Sequence, residues 1–321
     1  MTFTPVEAGP LGEPEQPPPR TSNVPAAVVW MIGTLLSFSL MAISIRQLGG
    51  TLNLFELLMV RAIGGLAILL VVMAAQPSLF GYLALRKPGV HLIRNGTHFI
   101  ANICWTNAVI VLPLATVFAI EFLMPVWAGL LAVLFLGERF TVARAGSIAL
   151  GFIGVLVILR PGIEAFQLAA LGVLVASFGY AASNIATKKL IPVQSTIAII
   201  FWMNVMQMGM ALPGIDLAFP ARLASHQWLW AFGLAFGGAF AHYCLTNALR
   251  VADAIVVIPL DFIRIPLIAF VGWMFYGERL DLLVFAGAGI IVSGIVWNLR
   301  AEIATPRRAI AKPVSSREGT V

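Results

Sequence analysis

Ten apolar runs dominate this chain, at about 26–45, 54–75, 95–112, 115–136, 142–160, 167–187, 194–213, 227–248, 254–276 and 281–299. Unbroken runs of roughly 20 residues match the hydrocarbon thickness of a bilayer, whereas barrel strands alternate in polarity over about ten residues. Only 11% of residues are charged and 60% are hydrophobic, with a mean hydropathy of +0.95. Soluble domains carry about 25% charged residues, so a soluble fold could not hide this much apolar surface. The expected fold class is all-α integral membrane, with ten transmembrane helices. The weakest segments are the third, which opens with Gly96, His98 and Asn102, and the seventh, which carries Asn204 and Gln207.

Short connections make neighbouring helices antiparallel, and an even number of spans puts both termini on one side. With cytoplasmic termini, fourteen Lys and Arg residues fall in inner loops and tails, against four outside: Arg46, Arg160, Arg222 and Arg279. Cations concentrate on the cytoplasmic side of membrane proteins, so both ends are expected to face the cytoplasm of a bacterial-type inner membrane. The same rule accounts for the net charge of +6 without any nucleic acid partner. Residues 1–25 hold seven prolines and read as a disordered cytoplasmic tail, and residues 301–321 as a basic one. The two cysteines, Cys104 and Cys244, lie inside apolar runs and suggest no disulfide framework.

A repeat organises the interior. At an offset of 140 residues Gly137-Glu138-Arg139 falls on Gly277-Glu278-Arg279, and Cys104-x-Thr106-Asn107-Ala108 falls on Cys244-x-Thr246-Asn247-Ala248. From Cys104 to Arg160 the register holds without a gap, with 14 identities in 57 positions. Shared hydrophobicity would not place both motifs at one offset, so the chain reads as a duplication over 26–161 and 166–300. Five spans per copy is odd, which inverts the second copy relative to the first, as in secondary transporters. The triplet's expected local role is to end a helix at Gly137 and Gly277. Its Glu and Arg would then sit at the headgroups and fix the entry of the next helix.

Two five-span halves, each with a polar Gly-Glu-Arg turn between its fourth and fifth helices, resemble the EamA-type members of the drug/metabolite transporter superfamily. Pro125 in the fourth helix, Pro266 near its equivalent, and the glycine-rich fifth helices carry the rest of the likeness. The resemblance implies a transporter of small metabolites such as amino acids, amines or cofactor-like compounds, working by alternating access, with export favoured. It further implies that the first, third and fourth helices of each half line a central cavity.

Ionisable side chains inside a bilayer cost about 2.5–3.5 kcal/mol each even on lenient scales, which makes them functional candidates. Arg61, Glu121, Asp261 and Arg264 qualify. At 1.5 Å per residue Arg61 and Glu121 lie roughly 9–11 Å below the outer side, which suggests an ion pair between them. Asp261 and Arg264, three residues apart on one helix, suggest a second pair. Glu121 and Asp261 are repeat equivalents, which favours gate or substrate elements over structural pairs and leaves a proton open as coupling ion. Asn102, Trp105, Asn107, Tyr180, Asn184, His98, His242 and Asn247 are further candidates for the pathway, against the plainer reading of helix packing. Small-residue spacings such as Gly233-x-x-x-Gly237 and Ser147-x-x-x-Gly151 read as packing signals.

The spacing of Cys244 and Arg250 matches that of cysteine phosphatases, but this stretch continues a membrane helix and offers no phosphate-cradling loop. No zinc-hydrolase, nucleophile-elbow, P-loop or Cys-x-x-Cys motif occurs, so no cofactor, metal site or enzymatic activity is expected. The rival readings are an intramembrane enzyme acting on a lipid-linked substrate and a non-transporting scaffold. The expected partners are a small-molecule substrate and the lipid bilayer, with a homo-oligomer left open.

Overall fold

The computed structural model describes residues 23–136, 140–159, 168–252, 257 and 260–304. Among these the chain is helical, with no strand. The helices are α1 (Val24–Leu48), α2 (Leu54–Ala75), α3 (Pro88–Val111), α4 (Leu114–Glu121), α5 (Met124–Leu136) and α6 (Val142–Leu159). The second half supplies α7 (Leu168–Leu190), α8 (Thr196–Ala211), the single turn α9 (Phe219–Arg222), α10 (Gln227–Val251), α11 (Arg264–Tyr276) and α12 (Leu282–Ala304). Eight stretches are long and apolar enough to cross a membrane, and α4 with α5 counts as one of them.

Several expected boundaries move. The third helix begins at Pro88 rather than near 95, because proline is tolerated in a first turn and the polar face of Arg94 and Asn95 finds partners inside the protein. The expected single fourth helix is broken at Phe122–Leu123. Pro125 has no N–H to offer the carbonyl of Glu121, four residues earlier, and α4 ends there. A turn at Ile263 likewise precedes Pro266 in the second half. The last helix runs to Ala304, so the expected C-terminal tail loses its first four residues to α12. Residues 305–321, the N-terminal tail to residue 22, and the first Gly-Glu-Arg triplet lie outside the described residues.

Three close helix pairs form the frame: α1 with α10, α3 with α7, and α6 with α12. Glycines make the approaches possible. A Cβ on Gly154 of α6 would stand 2.5 Å from the carbonyl oxygen of Gly287 in α12, and one on Gly287 would stand 2.5 Å from that of Gly154. Further along, Gly294 faces Ser147 and Gly146 faces Trp297, so α6 and α12 run antiparallel. Gly179 lies against Thr97 and Gly172 against Cys104, which makes α3 and α7 antiparallel too. Gly33 meets Cys244, and Gly237 meets Ser37, with the same result for α1 and α10. The largest buried cluster gathers Phe118, Leu114, Ile120 and Leu123 around the broken helix, together with Ile265 and Ile268 from α11.

The inter-helix turns are held by polar contacts between the halves. Asn53 and Glu56 close a capping box at the start of α2, and the fully buried Glu56 pairs with Arg222 of α9 and accepts from the Asp216 amide. In the first half, the 77–87 connection packs on the α7–α8 turn, where Gln194 accepts from Arg86 N and meets His91 at 2.9 Å.

Candidate functional site

Two polar centres lie inside the helix bundle. The first forms where the two proline-associated breaks meet. Arg264, the first residue of α11, has Nη2 3.3 Å from Asp261 Oδ2 and Nη1 3.8 Å from Glu121 Oε1. Its guanidinium stands over three rings, 4.6 Å from the centroid of Phe38, 5.0 Å from Phe122 and 5.2 Å from Phe118. Cation–π attraction adds to two carboxylates at this one residue, which is what allows it to be buried. Trp105 of α3 donates from Nε1 to Glu121 Oε2 at 2.8 Å and fixes that carboxylate. The repeat equivalents Phe122 and Phe262 meet edge-to-face at 5.8 Å. Arg264 Nε and Asp261 Oδ1 are sealed from solvent without a hydrogen-bond partner.

The expected pair of Arg61 with Glu121 does not form. Similar depth on two helices leaves the direction of each side chain open, and packing decides it. Glu121 turns to Arg264 and Trp105, so one arginine serves the acids of both halves. The expected pair of Asp261 with Arg264 is present.

Arg61 belongs to the second centre, built by α2, α3, α7 and α8. Its Nη2 donates to Gln207 Oε1 at 3.3 Å. Gln207 Nε2 lies 2.8 Å and Asn102 Nδ2 2.9 Å from His98 Nδ1, and Tyr180 Oη donates to Asn102 Oδ1 at 2.9 Å. The Tyr180 ring meets His98 edge-on at 5.3 Å. Arg61 has no ion pair among the described residues, and its remaining N–H groups are not sealed in the protein. His242 of α10 is solvent-accessible although it lies within the fields of Arg61, Arg94 and Arg264 and against the Phe38 ring at 5.9 Å. Nearby, Arg94 donates to Asn95 Oδ1 at 2.7 Å and to Thr187 Oγ1 at 3.2 Å.

Three other candidates stand apart from both centres. Asn107 lines a crevice of about 330 Å³ between α3 and the start of α7, with Cys104 and Gly172. Asn184 is exposed and approaches Met124 Sδ at 3.7 Å. Asn247 bonds back to the Tyr243 carbonyl on its own helix. Sequence reasoning passed over Gln207 and Arg94. Gln207 interrupts an apolar run, which was the available signal, whereas Arg94 precedes the third run and counted only as a loop cation.

The second Gly-Glu-Arg triplet departs in part from its expected role. Gly277 does end α11, at φ +64° in the left-handed region that glycine favours. Glu278, however, reaches into the other half: it pairs with Arg46 at the end of α1 and accepts from Leu114 N at 2.9 Å. That amide is an unsatisfied donor at the start of α4, so a carboxylate there caps the helix. Arg46 also bonds the carbonyls of Val109 and Leu112 and stacks 4.7 Å from the Tyr276 ring centre.

The chain is 24% identical to an S-adenosylmethionine uptake transporter of Rickettsia prowazekii, over 86% of this chain and 92% of the relative. A riboflavin transporter of Rhizobium johnstonii is 31% identical over 69% of this chain and 73% of its own. The pseudopaline exporter CntI of Pseudomonas aeruginosa is 29% identical over 80% and 89%. A solved crystal structure with 17% identity superimposes with a TM-score of 0.58, covering 87% of this chain and 99% of that one, a likeness of fold. The pattern of the EamA-like transporter family matches residues 25–160 and again 167–300, and the chain, a multi-pass helical membrane protein, belongs to that family.

Proposed function

We propose that this protein is a secondary transporter that moves a small organic metabolite bearing an anionic group across the cytoplasmic membrane by alternating access. One observation carries the charge preference: the interior centres hold Arg61, Arg94 and Arg264 against Glu121 and Asp261, and Arg61 keeps N–H groups uncommitted. An arginine fork facing open space is built to take a carboxylate or phosphate. Trp105, Tyr180 and His242 would bound the rest of the substrate, and the charged centre around Arg264 would act as the element that rearranges between states.

The reading includes ten spans in two oppositely inserted halves, with both termini cytoplasmic. Reciprocal contacts support it. At the offset of 140, the contact of Gly154 with Gly287 exchanges into that of Gly294 with Ser147, as a two-fold relation requires. The α1–α10 and α3–α7 pairs exchange in the same way, and all three antiparallel pairs fit spans that alternate in direction. Membership of a transporter family leaves the intramembrane enzyme the weaker reading.

Flux into and out of proteoliposomes tests this proposal and separates export, the expected direction, from uptake. Labelled S-adenosylmethionine, which has a carboxylate, and riboflavin, which has none, make a first pair of probes. Saturable flux of carboxylate-bearing compounds that is lost in Arg61→Met is the expected result. Flux of uncharged compounds alone, unaffected by Arg61→Met, would remove the anion preference.

A further inference from the structure

We propose that His98 is a substrate-binding residue that serves as a fixed hydrogen-bond donor through Nε2, with its tautomer set by Arg61 acting through Gln207. The inference rests on the transport reading only for the identity of what is bound. Arginine can only donate, so the Gln207 atom 3.3 Å from Arg61 Nη2 is the amide oxygen. The amide nitrogen of Gln207 therefore faces His98 Nδ1, at 2.8 Å, and an NH₂ group can only donate there. Asn102 is bound by the same logic. Its Nδ2 lies 3.5 Å from Gln207 Oε1 and 2.9 Å from His98 Nδ1, so it too donates to the ring, while its oxygen accepts from Tyr180.

A ring nitrogen that accepts two amide N–H groups carries no proton. The neutral imidazole then holds its hydrogen on Nε2, which has no partner among the described residues and is not sealed off. It is thus available to an acceptor atom, and Arg61, one amide away through Gln207, likewise keeps N–H groups that are not sealed. Protonating Nδ1 would break two hydrogen bonds. The charged and titratable groups around the ring among the described residues are Arg61 from α2, Arg94 from its own helix, Tyr180 from α7 and His242 from α10. His98 is therefore a donor rather than a proton carrier. Together with Arg61 it selects an acceptor group, a carboxylate above all.

Ring-¹⁵N-labelled histidine in the full-length purified protein reads the tautomer directly. His98 is assigned by the signal lost in His98→Asn, since the chain has 4 histidines. The expected wild-type signal is a neutral ring protonated at Nε2, unchanged between about pH 5.5 and 8. Gln207→Leu and Arg61→Met should release it into a tautomer mixture that titrates. A wild-type ring protonated at Nδ1, or charged in that range, overturns the proposal, and this arm needs no substrate. For the binding arm, S-adenosylmethionine is titrated as a carboxylate-bearing probe, with acetate and acetamide as a shape-matched pair of small probes that differ in charge. His98→Asn keeps an acceptor where Nδ1 stands and loses the distal donor, whereas His98→Gln keeps a distal donor. About 10-fold weaker binding in His98→Asn, with unchanged melting and recovery in His98→Gln, is expected for the probes that bind wild type. Equal binding in wild type and His98→Asn would overturn the donor role. Wild type that binds none of the carboxylates but shifts the Nε2 signal with acetamide would overturn the anion choice and retain the fixed donor.

Discussion

Arg264 and Arg61 are both interior cations, yet their surroundings predict opposite behaviour on removal. Arg264 compensates two carboxylates, so Arg264→Met leaves Glu121 and Asp261 facing each other without a cation. Breaking a buried pair from one side costs about 3–5 kcal/mol, and that loss is the expected result of chemical unfolding in detergent. Glu121→Gln is milder, because Asp261 remains on Arg264 and the amide oxygen still accepts from Trp105. The double variant should lose less than the sum of the two single losses. Arg61→Met, by contrast, retains the apolar stem and gives up one hydrogen bond, so a loss of about 1 kcal/mol accompanies loss of transport. Arg61→Met and Glu121→Gln should be additive in stability, since they share no partner. Strong coupling between them would restore the pair that depth alone had suggested. The helix that carries each residue was legible in the sequence, because apolar runs are local; the direction of each side chain was not, because it depends on neighbours distant in the chain.

At the scale of elements, eight of the apolar runs coincide, among the described residues, with helices long enough to cross a bilayer, since a bilayer-length segment is a local property of composition. The breaks were harder to see. Pro125 and Pro266 were visible, but a proline in a membrane helix can kink it or end it, and here the break before Pro125 and the turn before Pro266 lie beside the charged centre that joins the halves. Glycine shows the same divide between local and distant information. Gly154 and Gly289 look alike in sequence, yet only Gly154 has a backbone oxygen where its Cβ would go, while Gly289 has nothing within 4 Å. Gly154→Ala should therefore force α6 and α12 apart at a cost of about 1–3 kcal/mol. Gly289→Ala, on an open face of the same helix pair, should be neutral or stabilising by up to about 1 kcal/mol. Thermal unfolding of the two purified variants checks this, and equal melting would remove the close approach as a structural requirement.

For the whole molecule, the contact from Glu278 to Arg46 and Leu114 ties the α11–α12 turn of the second half to α1 and α4 of the first. If the halves are inserted oppositely, this cluster lies on the outer face, and residue 141, the equivalent of 281, lies on the inner one. Cysteine placed at Thr141 should then react with an impermeant thiol reagent only from the cytoplasm, and at Asp281 only from outside. Cys104 and Cys244 are first replaced by alanine, Cys244 being buried against Gly33 and Cys104 lining the α3–α7 crevice. A second measurement links topology to the closed outer cluster. Glu278→Gln keeps the shape of the side chain but removes the negative charge that holds Arg46 and the start of α4, so a cysteine at Val111, already exposed beside the cluster, should label faster from outside. Glu278→Gln should leave the labelling of a cysteine at Thr141 unchanged if its effect is confined to the outer face. Labelling of Thr141→Cys and Asp281→Cys from the same face would end the inverted arrangement, whatever the duplication says. Opposite labelling with no response at Val111→Cys would keep the inversion and reduce Glu278 to a static helix cap.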